Sequence, residues 1–188
     1  MEAVDIRKIT VAEFHKMEFD DNDPYFYELL DGEIVKKKAP RPRHQRITRD
    51  LTIKLHLFAI EHKLGEVLPS PIDVFLDDTN SPQPDLVYIS DKKSSLVTDD
   101  GVMGVPDLIV EVISPSSIYR DRVTKKALYE QFGVQEYWLV DPADNFIEIY
   151  ALINGHYTLL SAASVEEGQL SSGVLSGLVL ELNTLFAE

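Results

Sequence analysis

Pro106-Asp107-Leu108-Ile109-Val110-Glu111-Val112-Ile113-Ser114 is the stretch on which the fold turns. Branched apolar residues fill both alternations, as in a strand covered on both faces, and a single carboxylate, Glu111, interrupts them. Because strand side chains alternate, Ile109, Glu111 and Ile113 share one face. An unpaired carboxylate buried there costs several kcal/mol. Glu111 therefore holds a cation in the core or lies where the strand reaches water.

Upstream, the strand-like PDLVYIS (84–90) carries Asp85 at its head and can bring a second carboxylate close to the first. EVLPS (66–70) and IDVFLDD (72–78) read as further strands. Two converging carboxylates, with no cysteine and no histidine cluster nearby, make a hard-oxygen site that suits Mg²⁺ or Mn²⁺. Downstream, a helix from about Ile118 to Phe132 stops at Gly133, and YWLVDP (137–142) is a strand closed by Asp141-Pro142. Helical spacing puts Asp121, Lys125 and Tyr129 on one face. Turned inward, that face brings a lysine to the carboxylates, where it would orient a water or neutralise charge on a phosphate. Turned outward, Asp121 and Lys125 form a surface pair worth a few tenths of a kcal/mol.

The rest of the chain completes one α/β domain. YFYELLDGEIVKK (25–37) forms a hairpin around Asp31-Gly32, and FIEIYAL with HYTLL forms another around Asn154-Gly155. From about Arg43 to Lys63, Ile47, Leu51, Leu55 and Phe58 recur at helical spacing, with Gly65 as the stop. VLSGLVLEL (174–182) is strand or short helix. With no repeat or linker, the 188 residues read as a single domain with a central mixed sheet, two flanking helices and peripheral hairpins, preceded by an N-terminal extension over residues 1–24.

Composition narrows the function. Hydrophobic residues make up 44% of the chain, enough for a core, and the absence of cysteine excludes disulfides and thiolate zinc sites. The opening residues hold neither a signal peptide nor a membrane span, so a cytoplasmic protein is the expectation. A net charge of -14 repels nucleic acid at long range, so such a role must rest on local patches. Two exist: Lys36 to Arg49 has seven cations and no acid, and Arg120, Arg122, Lys125 and Lys126 enclose only Asp121. After Lys126 there is no Lys or Arg. Arg41, Arg43, His44 and Arg46 are the candidate nucleic-acid contacts. Glu28 and Asp73 could add acids to the site, although a strand-edge glutamate is more often solvated. Ser114–Ser117 reads as a helix cap, Trp138 as core, and His15, His56, His62 and His156 lack metal-ligand spacing.

PDLVYIS, PDLIVEVISPS and DRVTKKALYEQFGVQEYWLVDP, together with YELLDGE, the His44 helix start and GVLSGLVLEL, resemble the Uma-type restriction-endonuclease-like family of bacteria (DUF820-like), within the PD-(D/E)XK phosphodiesterase superfamily. The resemblance runs from about Tyr25 nearly to the end. It implies a restriction-endonuclease-like core, Asp85 and Glu111 as ligands of Mg²⁺ or Mn²⁺ with the Val112 carbonyl as a third, and DNA as partner. The departure is Ile113, which stands where the superfamily has its lysine; relatives of this type supply it from the following helix, which maps to Lys125. Asp107 is a rival to Asp85, but four strand residues put it about 13 Å from Glu111. The expectation is a metal-dependent endonuclease with Asp85, Glu111 and Lys125 catalytic. The alternative, suggested by Ile113, is a nuclease-like module that binds nucleic acid or protein without catalysis. A homodimer would suit an enzyme that cuts both strands.

Overall fold

A computed structural model describes residues 7–20 and 23–187. The short helix α1 (Val11–Phe14) is closed by a capping box between Thr10 and Glu13. Ile9 N–H donates to the Gly32 carbonyl and Val11 N–H to that of Asp78, so this early segment is tied to the body of the domain. Strands β1 (Tyr25–Leu30) and β2 (Glu33–Lys38) pair antiparallel. Asp31 and Gly32 join them at φ 50° and 74°, the turn whose twist matches a hairpin.

Helix α2 (Pro42–Glu61) starts on a proline whose fixed φ suits the first helical position. It buries Ile47, Leu51, Leu55 and Ala59, a stripe spaced by four residues. Strand β3 (Gly65–Pro69) follows, then the short β4 (Val74–Phe75), β5 (Leu86–Ser90), β6 (Val97–Thr98), β7 (Gly101–Met103) and β8 (Leu108–Val112). IDVFLDD thus forms two residues of strand rather than a full one. Val74 N–H and Leu76 N–H are taken by the Pro82 and Asn80 carbonyls of the following turn.

The next helix begins near Ile118, but its first half, Arg120–Lys125, is π-helical before it continues as α3 (Lys126–Phe132) and ends on Gly133 at φ 82°. Strands β9 (Glu136–Asp141), β10 (Phe146–Ile153) and β11 (His156–Ser164) complete the sheet. The ambiguous tail resolves into both alternatives: β12 (Gln169–Ser171) pairs with β13 (Val179–Glu181), and α4 (Leu182–Leu185) follows.

The central sheet is mixed and six-stranded, in the order β11-β10-β9-β8-β5-β3. Only β8 and β9 are parallel, joined by the helical crossover 118–132; β8 and β5 run antiparallel. One face packs Val110, Trp138, Val140 and Ile147 under Leu51 and Leu55 of α2. The other packs Val87, Ile109, Ile113, Tyr137 and Leu139 under Tyr129 of α3. Each fully buried Leu or Ile contributes about 1.5–3 kcal/mol. Glu111 alternates onto the second face, beside Ile109 and Ile113, and so points at the crossover helix. Among the described residues, no helix is long and apolar enough to cross a membrane.

Candidate active site

The β5–β8 pairing, with Leu86 opposite Val110, carries Asp85 to the end of β8 where Glu111 lies. Asp85 Oδ2 accepts the Val112 backbone N–H at 2.7 Å, which fastens the carboxylate one residue from Glu111. The same oxygen faces His44 Nε2, on the first turn of α2, at 3.2 Å. Against the cost of burial, His44 and then Lys37 hold the Asp85 carboxyl below its usual range. His44 is in turn raised: burial opposes its charge, but Asp85, Glu111 and the Val112 backbone favour it. Its other ring nitrogen, Nδ1, is 3.4 Å from Thr48 Oγ1 one turn along the helix.

Glu111 is 3% exposed. Lys125 Nζ donates to its Oε1 at 2.7 Å and the Tyr129 hydroxyl to the same atom at 2.9 Å. Among the described residues, Oε2 accepts no hydrogen bond. The helix face is therefore the inward one, and its π-helical turn contributes. An i→i+5 bonding pattern widens the turn, so residues four and five apart stack on one side, and both Asp121 and Lys125 are buried there. Burial pushes Glu111 up to about 8; Lys125 opposes the shift, while Asp121 and Asp85 add to it. Lys125 is 1% exposed. Against that burial, Glu111, Glu28 and Asp121 hold it above the ordinary lysine range, as a cation. Burial also raises Asp121.

Glu28, which reads as a strand-edge residue, is completely buried. Its Oε2 lies 2.9 Å from Lys125 Nζ and accepts the Gln83 N–H at 3.1 Å, with Lys37 Nζ at 3.6 Å. Its Oε1 and Arg120 Nε are both buried without a hydrogen bond, 3.6 Å apart. Burial works against ionisation, yet Lys125 and then Lys37 bring Glu28 down to about 2. Asp73 stands one step further out: it accepts from Gln83 Nε2 at 2.9 Å and has no direct contact with Glu28. Asp107, the rival acid, accepts the Ser90 N–H at 2.8 Å and pairs with Lys93 at 2.9 Å at the opposite end of β8.

The structure thus brings Asp85, Glu111, Val112, Lys125, Glu28 and His44 together, and Asp121 joins them although the sequence reading treated it only as a partner for Lys125. The spacing puts it on one face with Lys125 and Tyr129 and leaves open which way that face turns; the structure turns it inward. His44 turns to Asp85 rather than outward with the arginines. The Arg43 side chain bonds Asn145 at 2.7 Å, whereas the side chains of Arg41 and Arg46 have no ion-pair or hydrogen-bond partner among the described residues. A groove of about 330 Å³ opens onto His44 and Asp85 between Thr48, Arg49 and Thr52 of α2 and Pro69–Ser70. A second hollow, about 290 Å³ between Arg43, Arg46 and Leu185–Ala187, contains none of the acids. Trp138 is in the core as read, whereas Ser114 and Ser117 bond each other ahead of the crossover helix and, among the described residues, neither side chain accepts one of its N–H groups. Among the described residues, no three metal-ligating side chains are already drawn into one coordination group; His44 and Lys125 occupy one oxygen each of Asp85 and Glu111.

Acids converging at the ends of adjacent strands, with a buried lysine from the crossover helix, sit on a nuclease fold. A crystal structure from Anabaena variabilis, described as "a putative nuclease belonging to DUF820", superposes with a TM-score of 0.74 over 95% of this chain and 98% of that one, at 19% identity. The chain belongs to the Uma2 family, described as "Putative restriction endonuclease", which matches residues 11–183. No curated protein matches.

Proposed function

We propose that the protein is a metal-dependent nuclease that hydrolyses phosphodiester bonds in DNA. The observation that carries this reading is Lys125, a wholly buried cation held between Glu28 and Glu111 at the strand end where Asp85 is fastened. Removing a lysine from water costs several kcal/mol, which makes such a group a candidate for function. Its place beside Glu111 supports reading Lys125 as the counterpart of the lysine absent at Ile113.

The donor set fits a hard divalent cation such as Mg²⁺ or Mn²⁺. Among the described residues Asp85 and Glu111 each bond the protein through one oxygen, and the Val112 backbone meets both Asp85 and His44; these groups would hold the ion. When bound, the cation would supply Lewis-acid charge to the scissile phosphate and acidify a water. The chain's own part is distinct. Lys125, kept protonated by its acids, places a fixed positive charge where charge develops on the phosphate, and it is the wrong protonation state for a general base. Tyr129 holds Glu111 in orientation. Arg41 and Arg46, whose side chains are unpaired among the described residues, offer phosphate contacts at the start of α2, Arg46 on the second hollow rather than the groove, so binding should weaken steeply with salt.

The test is nicking of supercoiled plasmid at low salt with Mg²⁺ and with Mn²⁺, wild type against Glu111→Gln. We expect metal-dependent nicking that falls by at least about 10³-fold in the variant, the scale of losing a principal charge-stabilising group. No cleavage, or equal cleavage by both proteins, would put the non-catalytic binding module ahead.

A further inference from the structure

We infer that His44 is a direct ligand of the divalent cation, adding one imidazole nitrogen to the oxygen donors of Asp85, Glu111 and Val112, and that this donor set favours Mn²⁺ over Mg²⁺. The inference rests on the metal-dependent reading above and goes beyond it in naming the ligand and the ion. His44 is held in place from both ends of its ring. Nε2 points at Asp85 Oδ2 from 3.2 Å, and Nδ1 meets Thr48 Oγ1 at 3.4 Å. Ligating histidines commonly have this arrangement, one nitrogen directed into the site and the other anchored to an outer group that fixes the tautomer and the ring plane. Thr48 itself is largely buried and Pro42 starts the helix rigidly, so the imidazole is presented by a well-supported first turn. The groove wall also includes His44 and Asp85 side by side, so the ring faces the same space a substrate phosphate would enter.

The other histidines are elsewhere. His15 lies against Phe75, His62 stacks on Phe58, and His156 pairs with Glu130 on the β10–β11 hairpin. A site built from carboxylates and a carbonyl alone accepts Mg²⁺ and Mn²⁺ alike. One imidazole shifts the preference, because Mg²⁺ holds to oxygen ligands and water while Mn²⁺ accepts nitrogen.

The experiment is Mn²⁺ binding to the full chain, followed by pulsed electron paramagnetic resonance for ¹⁴N coupled to the bound ion. We expect ¹⁴N coupling in wild type, no coupling in His44→Gln, and Mn²⁺ affinity at least tenfold above Mg²⁺ affinity in wild type only, about the scale of a metal-site contact. Thr48→Val should keep the coupling and weaken Mn²⁺ about tenfold. If His44→Gln fails to fold, a variant with His15, His56, His62 and His156 all replaced by Gln must still show the coupling. Bound Mn²⁺ without ¹⁴N coupling, or coupling that survives His44→Gln, overturns the inference and leaves the metal-dependent reading standing. No Mn²⁺ binding overturns both. Nitrogen-coupled Mn²⁺ in a protein that nicks no plasmid supports the ligand and overturns the nuclease.

Discussion

Glu136 and Glu111 lie on the paired strands β9 and β8, near their opposite ends, and are 1% and 3% exposed. Their surroundings differ in one respect that matters. Glu136 accepts on both oxygens: Trp138 Nε1 and Ser172 Oγ reach Oε1 at 2.6 Å each, and the Gly173 and Val174 N–H groups reach Oε2 at 2.7 and 3.1 Å. All the donors are neutral, and no cation pairs with it among the described residues. Among the described residues Glu111 accepts on one oxygen, from a lysine and a tyrosine, and has Asp85 and Asp121 for neighbours. The first carboxylate is used up in pinning the tail segment to the sheet. The second keeps an oxygen free, in a field that resists its own charge. How partners are shared between the two oxygens, more than burial, distinguishes the structural acid from the one proposed to hold the metal.

The comparison can be broken first by thermal unfolding of Glu136→Ala beside Glu111→Gln. Truncating Glu136 strands several buried donors, at about 3 kcal/mol or more, which lowers Tm by about 6–12 °C in a chain of this size. Glu111→Gln should stay within a few degrees of wild type while losing nicking. Reversed stabilities would make Glu111 the structural ion pair.

A middle-sized effect is expected at Glu28, whose carboxyl is lowered to about 2 from the ordinary 4.5. A depressed folded-state value means the stabilisation is present above 4.5 and lost as the pH falls toward 2. Glu28→Gln should therefore melt about 5 °C below wild type at neutral pH, as one member of a buried charge set is removed. That gap should close as both proteins are acidified; a gap independent of pH would show that Lys125 does not need the Glu28 charge.

The smallest effects isolate single neutral donors. Tyr129→Phe removes one hydrogen bond and Ser172→Ala two, because the Leu175 N–H also donates to Ser172 Oγ; each is worth about 1 kcal/mol. Only Tyr129→Phe should also slow nicking, by a few fold. Equal nicking in both would detach Tyr129 from the site.

Much of this was legible in the sequence because it is local. Asp31-Gly32 and Asn154-Gly155 specify their own turns, the apolar spacing of 47–58 specifies α2, and one acid in a run of branched residues marks Glu111 on β8. What escaped depends on distant parts of the chain. Glu28 looks like a solvated edge residue until the crossover helix, some ninety residues later, lays Lys125 and Arg120 on it. His44 sits among arginines in the sequence, and only the β5 approach shows it Asp85. Gln83, whose backbone steadies Glu28 and whose side chain holds Asp73, is an unremarked residue between two prolines. The spacing pointed Asp121, Lys125 and Tyr129 one way, but nothing in it announced a π-helical turn.

That turn constrains how the gene can vary. A helix bonded i→i+5 accommodates one more residue than an α-helical segment of the same span, and each residue of an α-helix advances about 100°. Deleting a single residue between Arg120 and Lys125 would let the segment relax to ordinary α-helix. The fold would survive and the flanking turns would keep their places, but Asp121 and Lys125 would stand three residues apart in a narrower α-helical turn, which changes how they reach Glu111 and Glu28. Surface loops elsewhere can gain or lose residues with little consequence; here a change of one in length resets the spacing of the acid and the lysine within the site.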